Sequence, residues 1–350
     1  MQKVLLLVVT AAIAVLAPSP AHASRGSGLE GAQTDGKVAH KRSRWPRRAS
    51  SENIYFPTKE LEDLLNANRG DRWHAIVFPG NSVTQTVVNT DFGYGPEDGP
   101  HTWKKKFPAC GGRYQSPIDI NLNIAQYPSD DDETDLFFYN YDVPPLEMAV
   151  ENTGHSLRLT GNWSTGRRPS IEGFVLPEEY SVAEVHFHWG ANDREGSEHL
   201  IEGQRYPLEM HVVNYKTSYG TFMEATTKND GLVVISYLFK VHRHINQALQ
   251  KLLMAYKDIT KPKSPGVPIE PFSFDKLVHP FTGNYATYLG SLTTPPCSEI
   301  VRWIVNLEPH FVSHEQIETL RGLRRGDGER ILFNFRPIQS LNGRAITHVY

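Results

Sequence analysis

This sequence of 350 residues has few long apolar segments, few cysteines and a small net charge. The apolar run from Val4 to Leu16 is shorter than the roughly 20 residues that a helix needs to span a bilayer, and no later segment is better suited. A formal net charge of −3 gives no reason to expect nucleic acid or an anionic membrane as a partner. We therefore expect neither a membrane span nor a nucleic-acid-binding function.

The N-terminus has the pattern of a secretory signal. Met1-Gln2-Lys3 is basic, a short apolar run follows, and Ala21-His22-Ala23 supplies the small residues of a cleavage site. This pattern predicts a signal peptide over residues 1–23. A membrane anchor is the alternative, which the shortness of the run disfavours. We expect a secreted, extracellular protein whose protein partners the sequence does not identify.

Two further features bear on an extracellular location. Cys110 and Cys297 are the only cysteines, and in an oxidising compartment such a pair indicates one disulfide. Two free buried thiols are the alternative. The sequon Asn162-Trp163-Ser164 predicts glycosylation at Asn162, provided that this segment lies at the surface.

Residues 24–88 form an N-terminal extension that is polar up to about residue 57 and is therefore predicted to be partly disordered. Its basic cluster, Lys41 to Arg48, is either a processing site or part of a flexible tail. Thr58 is a candidate cap for a short helix over residues 58–67. The residues of this extension indicate no function for it.

From residue 89 onward, short alternating or apolar runs separated by Gly, Pro, Asn and Asp indicate a mainly β domain. Helical spacing predicts a helix over residues 245–259, and Ser313 with Gln316 predicts a capping box at the start of another helix. No internal repeat is visible, so residues 89–350 are predicted to form one domain. The predicted strands lie around residues 156–159, 182–189, 208–216, 232–241 and 300–307.

Two of these strands carry a histidine pattern that points to a metal. Glu184-Val185-His186-Phe187-His188 is followed by Glu209-Met210-His211. Because side chains alternate between the two faces of a strand, a pair of strands would bring the three imidazoles together. Three neutral imidazoles with one open position are a ligand set for catalytic zinc, and the carboxylates of Glu184 and Glu209 could orient the rings from behind. A hydrogen-bonded histidine pair in a half-buried strand is the alternative.

The same part of the chain, over residues 89–350, resembles the α-class carbonic anhydrases. Several motifs stand in that family's order, and their joint agreement is far more specific than any one of them. The resemblance implies a single domain around a large twisted, mostly antiparallel central sheet with short surface helices. The motifs are Phe92-Gly93-Tyr94-Gly95, Gln115-Ser116-Pro117-Ile118-Asp119, Asn152-Thr153-Gly154-His155, Gly196-Ser197-Glu198-His199 and Gly290-Ser291-Leu292-Thr293-Thr294-Pro295-Pro296.

The resemblance implies a role for individual residues at the active site. It implies that zinc carries a hydroxide, that a hydrogen-bond relay orients this hydroxide, and that a histidine shuttles the released proton. The implied residues are His186, His188 and His211 for Zn²⁺, Glu184 and Glu209 behind these ligands, Thr293 with Glu198 and Tyr94 for the relay, and His155 for the shuttle.

Other positions match structural features of the family. Cys110 and Cys297 match a pair that is bridged in many secreted members. The bonds Ser116-Pro117 and Pro295-Pro296 match cis peptide bonds. The implied substrate pocket consists of Val213, Val234, Leu292, Thr294, Val301 and Trp303.

Three positions depart from the family's common pattern. Glu184 replaces a glutamine behind the first zinc ligand, where a charged acceptor would make His186 more basic and lower the positive field at zinc. Thr153 and Arg158 replace asparagines. If Arg158 points toward the shuttle, it would lower the pKa of His155. These departures leave the catalytic rate open.

The sequence therefore predicts zinc-dependent, reversible hydration of carbon dioxide to bicarbonate and a proton. The alternative is a secreted matrix or binding protein on the same fold with reduced activity. A second histidine pair, His242 and His244, has no carboxylate support and is interpreted as solvated surface.

Overall fold

The computed structural model describes residues 92–129, 132–262 and 266–350. The predicted signal peptide, the extension over residues 24–88, its helix at 58–67 and the basic cluster lie outside the described residues. Within the described ranges, no helix is long and apolar enough to cross a membrane. This part of the chain is mainly β with a few short helices, as the sequence predicts.

The strands predicted at residues 208–216 and 232–241 have the predicted bounds, and the others differ by a few residues at their ends. The strands of the described residues are β1 (Asp119–Ile120), β2 (Phe137–Tyr139), β3 (Glu147–Asn152), β4 (Leu157–Asn162), β5 (Ser170–Gly173), β6 (Leu176–Trp189), β7 (Leu200–Ile201), β8 (Leu208–Lys216), β9 (Leu232–Val241), β10 (Val267–Ile269), β11 (Tyr285–Gly290), β12 (Val301–Asn306), β13 (His310–Val312) and β14 (Thr347–Val349).

Twelve of the strands in the described ranges form one sheet. Its main path runs β10-β3-β4-β6-β8-β9-β12-β11-β14, with β5 beside β6, β2 beside β5 and β13 beside β9. Pairing is antiparallel except where β9 meets β12 and β13. Strands β1 and β7 make a separate two-stranded parallel sheet. The predicted large, mostly antiparallel sheet is confirmed.

Both faces of the central strands are covered, which explains why β8 and β9 have long apolar runs. Val212 and Ile235 belong to the apolar cluster on one face, and Val213 and Val234 belong to the cluster on the other. Each fully buried side chain of this size contributes about 1.5–3 kcal/mol. A buried polar residue on these strands needs a partner within the protein, and Glu209, His211 and Ser236 are such residues.

The helices are short and lie between the strands in the chain. The helix predicted over residues 245–259 is two helices in the structure. The first begins after Asn246, whose side chain accepts a hydrogen bond from the Leu249 amide at 3.0 Å. The second begins after Ala255, whose ψ of 2° departs from helical geometry and separates the two. The predicted capping box of Ser313 and Gln316 is confirmed. The α-helices are α1 (Pro100–Lys106), α2 (Phe222–Ala225), α3 (Gln247–Leu253), α4 (Tyr256–Ile259) and α5 (His314–Arg321).

The disulfide between Cys110 and Cys297 is formed, with an S–S distance of 2.04 Å. The cystine packs with Phe92 and Trp103 in a small apolar cluster. The Ser116-Pro117 and Pro295-Pro296 bonds are both cis, as the family resemblance implies. The bridge therefore ties the loop that carries Thr293 to the segment near Cys110.

Candidate metal centre

The register of β6 and β8 brings the three predicted histidines together. His186 lies directly opposite His211, and His188 is two residues further along β6 on the same side. One ring nitrogen from each histidine lies within 4.8 Å of the others. The strand pair thus builds a cluster of three imidazoles in which His211 is 23 to 25 positions from the other two in the chain.

The tautomer of each histidine is set by the group behind its ring. His188 Nδ1 lies 2.8 Å from the carbonyl oxygen of Asn334, which can only accept, so Nδ1 carries the proton. In the same way, His186 Nδ1 donates to Glu184 at 3.1 Å and His211 Nε2 donates to Glu209 at 2.7 Å. The nitrogens that face the cluster, Nε2 of His186, Nε2 of His188 and Nδ1 of His211, are left with free lone pairs.

These nitrogens fit a divalent metal. His186 Nε2 and His211 Nδ1 are 3.3 Å apart, close to the roughly 3.3 Å expected for two nitrogens at tetrahedral positions about 2.0–2.1 Å from zinc. His188 Nε2 is buried without a hydrogen-bond partner. A buried, unpartnered lone pair is unfavourable in a protein interior, and a cation at this point would satisfy it.

Burial also prepares the ligands electrostatically. Desolvation lowers the pKa of His188 well below its ordinary value and lowers the pKa of His211 to about 4. Both imidazoles are therefore neutral at neutral pH, which is the form that binds zinc. Metal binding at these two residues requires no prior loss of a proton from an imidazolium.

Glu209 is the centre of the hydrogen-bond network behind His211. Its Oε1 atom accepts from His211 Nε2, His199 Nδ1 and Ser236 Oγ, each at 2.7 Å. Its Oε2 atom accepts from the amides of Glu198 and His199 at 2.7 and 2.8 Å. Desolvation favours the neutral form, but the contacts with His199 and His211 outweigh it and hold the pKa of Glu209 well below its usual range. A charged, fully hydrogen-bonded carboxylate fixes the orientation of His211.

His199, Glu209 and His211 also lie close enough together to be considered as a second metal site. Both histidines contact Glu209 Oε1 at hydrogen-bond distance, 2.7 Å, so no space remains among them for a cation. The other nitrogen of His199 contacts the Tyr288 hydroxyl at 2.7 Å. This group is therefore a hydrogen-bonded support for the first site. Sequence reasoning placed His199 within a motif but gave it no role.

Glu198 and Thr293 lie beside the histidine cluster. Glu198 Oε1 is 3.4 Å from His188 Nδ1 and accepts from the Arg336 amide at 2.8 Å. The Thr293 hydroxyl interacts with the Glu198 carboxylate. Glu198 Oε2 is buried without a hydrogen-bond partner among the described residues and lies 4.0 Å from His211 Nδ1. Burial and the charge of Glu209 raise the pKa of Glu198 well above its usual range, whereas a cation nearby would lower it.

The predicted substrate-pocket residues pack against one another next to the cluster. Val213, Val234, Val301 and Trp303 belong to one buried apolar cluster, and half-buried Leu292 packs against it. The ring centroids of Trp303 and His211 are 4.8 Å apart, so the indole forms an apolar wall beside a candidate ligand. Thr294 lies next to Thr293 and is half-buried.

His155 and Tyr94 line a cavity of about 390 Å³ whose lining includes none of the three clustered histidines. The His155 ring stacks on Phe92 with centroids 4.1 Å apart, and its Nε2 donates to the Phe92 carbonyl at 2.7 Å. Burial, and to a smaller extent the charge of Arg325, lower the pKa of His155. Tyr94 packs edge-on against Trp103, and burial together with the charge of Glu198 raises the pKa of its phenol well above 10.0.

Arg158 does not point toward His155, contrary to the conditional expectation from the sequence. Its guanidinium contacts Glu151 at 2.6 Å and Glu184 at 3.4 Å. Burial alone would lower the pKa of Arg158, but the two carboxylates raise it above its ordinary value. The arginine that acts on His155 is Arg325.

Asn334 is the site residue that sequence reasoning missed altogether. Besides accepting from His188 through its backbone, its side-chain amide donates to the carbonyls of His155 and Phe187 at 2.8 and 2.9 Å. Its side-chain oxygen accepts from the Trp189 amide at 2.6 Å. Asn334 lies in a segment without regular structure, so no periodicity marked it.

Three other residues that the sequence analysis singled out lie apart from this site. The rings of His242 and His244 are 4.7 Å apart, and among the described residues they belong to no group of three or more candidate metal ligands. Asn162 ends β4, is half-buried and donates to Glu147 at 3.3 Å. The prediction of glycosylation there stays a prediction.

Comparison with known proteins agrees with this geometry. Residues 98–350 match the model of the eukaryotic-type carbonic anhydrase family. Carbonic anhydrase 1 of Mus musculus is 36% identical over 265 residues, which cover 74% of this chain and 98% of that protein. Carbonic anhydrase 7 of Mus musculus is 37% identical over 264 residues, which cover 73% of this chain and 96% of that protein. The chain therefore belongs to the eukaryotic-type carbonic anhydrase family and is an enzyme of that family.

Proposed function

We propose that this protein catalyses the reversible hydration of carbon dioxide to bicarbonate and a proton, with one zinc ion held by His186, His188 and His211. The observation that carries the proposal is the set of acceptors behind the rings: Glu184, the Asn334 carbonyl and Glu209 each hold one ring proton, so all three rings direct a lone pair into one cluster. Bound there by neutral ligands, zinc would keep its charge and supply a water acidic enough to act as a nucleophile near neutral pH.

Thr293 and Glu198 orient the reacting water. Because the Thr293 hydroxyl has one proton and donates it to Glu198, its oxygen is left as an acceptor at the site. It therefore accepts a hydrogen bond from an O–H group beside it and rejects a group that offers only lone pairs. This contact selects the orientation in which a lone pair of the water oxygen faces the substrate.

The apolar residues bind the other reactant. Carbon dioxide carries no charge and has no hydrogen-bond donor, so a wall of Val213, Val234 and Trp303 offers it a surface that water does not compete for strongly. The hydrated product is an anion and is poorly suited to that wall. The pocket thus binds the substrate weakly beside the metal and favours release of bicarbonate.

His155 accepts the proton that each hydration releases. Its Nε2 donates to the Phe92 carbonyl, which leaves Nδ1 as the proton acceptor of the neutral ring. Its lowered pKa favours rapid transfer of the proton onward to buffer. The adjoining cavity of about 390 Å³ admits small buffer molecules next to this ring.

We also propose that the protein is secreted after removal of residues 1–23 and is glycosylated at Asn162. The disulfide between Cys110 and Cys297 supports an oxidising compartment, because such bridges rarely persist in the cytosol. The alternative of a matrix or binding protein with reduced activity stays a prediction.

The proposal is tested with His211→Ala and, as a matched control, His242→Ala. We expect His211→Ala to lose bound zinc and stopped-flow hydration, because it removes a ligand. His242→Ala should keep both, since His242 lies outside the cluster. Urea unfolding of both variants checks that the fold survives. Wild-type hydration by His211→Ala, or no hydration by the zinc-loaded wild type, would contradict the proposal.

A further inference from the structure

A chain of four ionisable side chains leads from the sheet to the metal cluster. Glu151 Oε2 is 2.6 Å from Arg158 Nη2, Arg158 Nη1 is 3.4 Å from Glu184 Oε2, and Glu184 Oε1 is 3.1 Å from His186 Nδ1. Each carboxylate therefore contacts the guanidinium, and one of them also contacts a candidate zinc ligand.

The sheet register assembles this chain across three neighbouring strands. Arg158 on β4 lies opposite Glu151 on β3 and opposite His186 on β6. Glu184 is two residues before His186 on β6 and so presents its side chain on the same side. Its partner on β8 is Val213, which carries no charge. Among the described residues, Arg158 is thus the one cation that contacts Glu184 at ion-pair distance, apart from His186 when protonated.

Glu184 and Arg158 are two of the three positions at which the sequence departs from the common family pattern. Glutamine and asparagine at these positions would be neutral, whereas glutamate and arginine carry opposite charges that contact each other in this fold. Replacing one without the other would change the net charge beside the metal ligands by one. The two departures are therefore chemically linked.

Stability alone does not explain the ion pair. Arg158 and Glu151 are only 4% and 6% exposed, and a buried ion pair is often no more stabilising than apolar residues of similar size. Arg158 Nε has no hydrogen-bond partner, so the guanidinium is not fully satisfied. The feature that distinguishes this pair from an ordinary structural one is its contact, through Glu184, with His186.

We propose that Arg158 is a positioning residue that offsets part of the negative charge of Glu184 and Glu151 and thereby limits the negative field of these two carboxylates at the zinc site. This inference rests on the proposed function, because it concerns a zinc ion held by His186. Without Arg158, the unbalanced carboxylates attract a divalent cation more strongly. Removing the charge of Glu184 or of Glu151 takes one negative charge from this group, so the group attracts the cation less strongly.

The test measures the zinc dissociation constant of the metal-free full chain by competition with a chelator. We expect Arg158→Met to lower this constant and Glu184→Gln to raise it, each by at least about threefold. The double variant should lie within about twofold of the wild type, because both charges are removed together. Arg158→Lys keeps the charge and should also stay near the wild type.

The opposite signs distinguish charge balance from a structural role. If Arg158 only supports the fold, both single variants weaken zinc binding and the double variant weakens it further, which would overturn the inference. Arg168→Met is the matched control, since Arg168 donates to the Val182 carbonyl on β6 and stacks on Trp163, away from the histidine cluster. It should leave zinc binding unchanged.

A second variant keeps the inference testable if Arg158→Met does not fold. Glu151 contacts no candidate ligand, yet Glu151→Gln should raise the zinc dissociation constant, because it removes one of the two negative charges that Arg158 offsets. An unchanged constant would refute charge balance. Failure of the wild type to bind zinc would instead refute the proposed function.

Discussion

Glu209→Gln is the substitution that should separate the metal ligands from their support. The change removes one negative charge and replaces one carboxylate oxygen by an amide NH₂ at nearly constant volume. Glu209 accepts three hydrogen bonds at Oε1 and two at Oε2, all within 2.8 Å. Whichever way the amide turns, at least two buried donors lose their acceptor.

The expected cost follows from this count. A buried donor left unsatisfied costs about 1–3 kcal/mol, so the free energy of unfolding should fall by roughly 2–6 kcal/mol. If the amide faces His211, that ring can avoid a donor–donor contact only by moving its proton to Nδ1, the atom that would bind zinc. Zinc affinity should therefore fall by roughly 10- to 100-fold.

The assay combines urea unfolding of the metal-free protein with competitive zinc titration. Glu172→Gln is the control, because Glu172 is a less buried carboxylate that accepts from the Tyr139 hydroxyl. The control should change neither quantity appreciably. Wild-type unfolding free energy and wild-type zinc affinity in Glu209→Gln would show that this network does not support the metal centre.

Three further outcomes are expected. His155→Ala should slow hydration in weak buffer, and added imidazole should restore the rate; an unchanged rate at low buffer concentration would mean that another group exports the proton. Replacing Cys110 and Cys297 by Ala, which opens a loop of 187 residues, should lower the unfolding free energy by about 2–5 kcal/mol in urea, and no loss would contradict this. Burial and the neighbouring His279 lower the pKa of His310 to about 4. In the unfolded chain the pKa of this histidine is about 6.5, so between these two pH values the unfolded state binds more protons than the folded state. The free energy of unfolding therefore falls as the pH falls through this range. His310→Phe should flatten that slope by up to about 1.4 kcal/mol per pH unit, and an equal slope would refute the assignment.

The features that could be predicted from the sequence are those set by local periodicity. Strands β8 and β9 are long apolar runs between turn residues, and their predicted bounds match those in the structure. The alternation of side chains along β6 was enough to place His186 and His188 on one side of the strand. His211 joins them because β6 and β8 pair in the sheet. The prediction of a three-histidine site already assumed this pairing.

Contacts that depend on distant segments could not be predicted in this way. Asn334 reaches His188 across 146 residues from a segment without regular structure. The link from Glu209 through His199 to Tyr288 involves residues that no motif connected. The direction of Arg158 was decided by the buried carboxylate of Glu151 on the neighbouring strand, because a guanidinium in the interior requires a counter-charge. Tertiary packing between segments, which local periodicity does not encode, controls all three.

The most direct test of the central claim is a zinc titration of the metal-free protein followed by stopped-flow measurement of carbon dioxide hydration. Three imidazoles that converge on one point should bind one zinc per chain. Activity should then rise in proportion to added zinc, reach its maximum at about one equivalent, and disappear when a chelator removes the metal. Hydration that is independent of zinc, or zinc bound at this stoichiometry without hydration, would contradict the account.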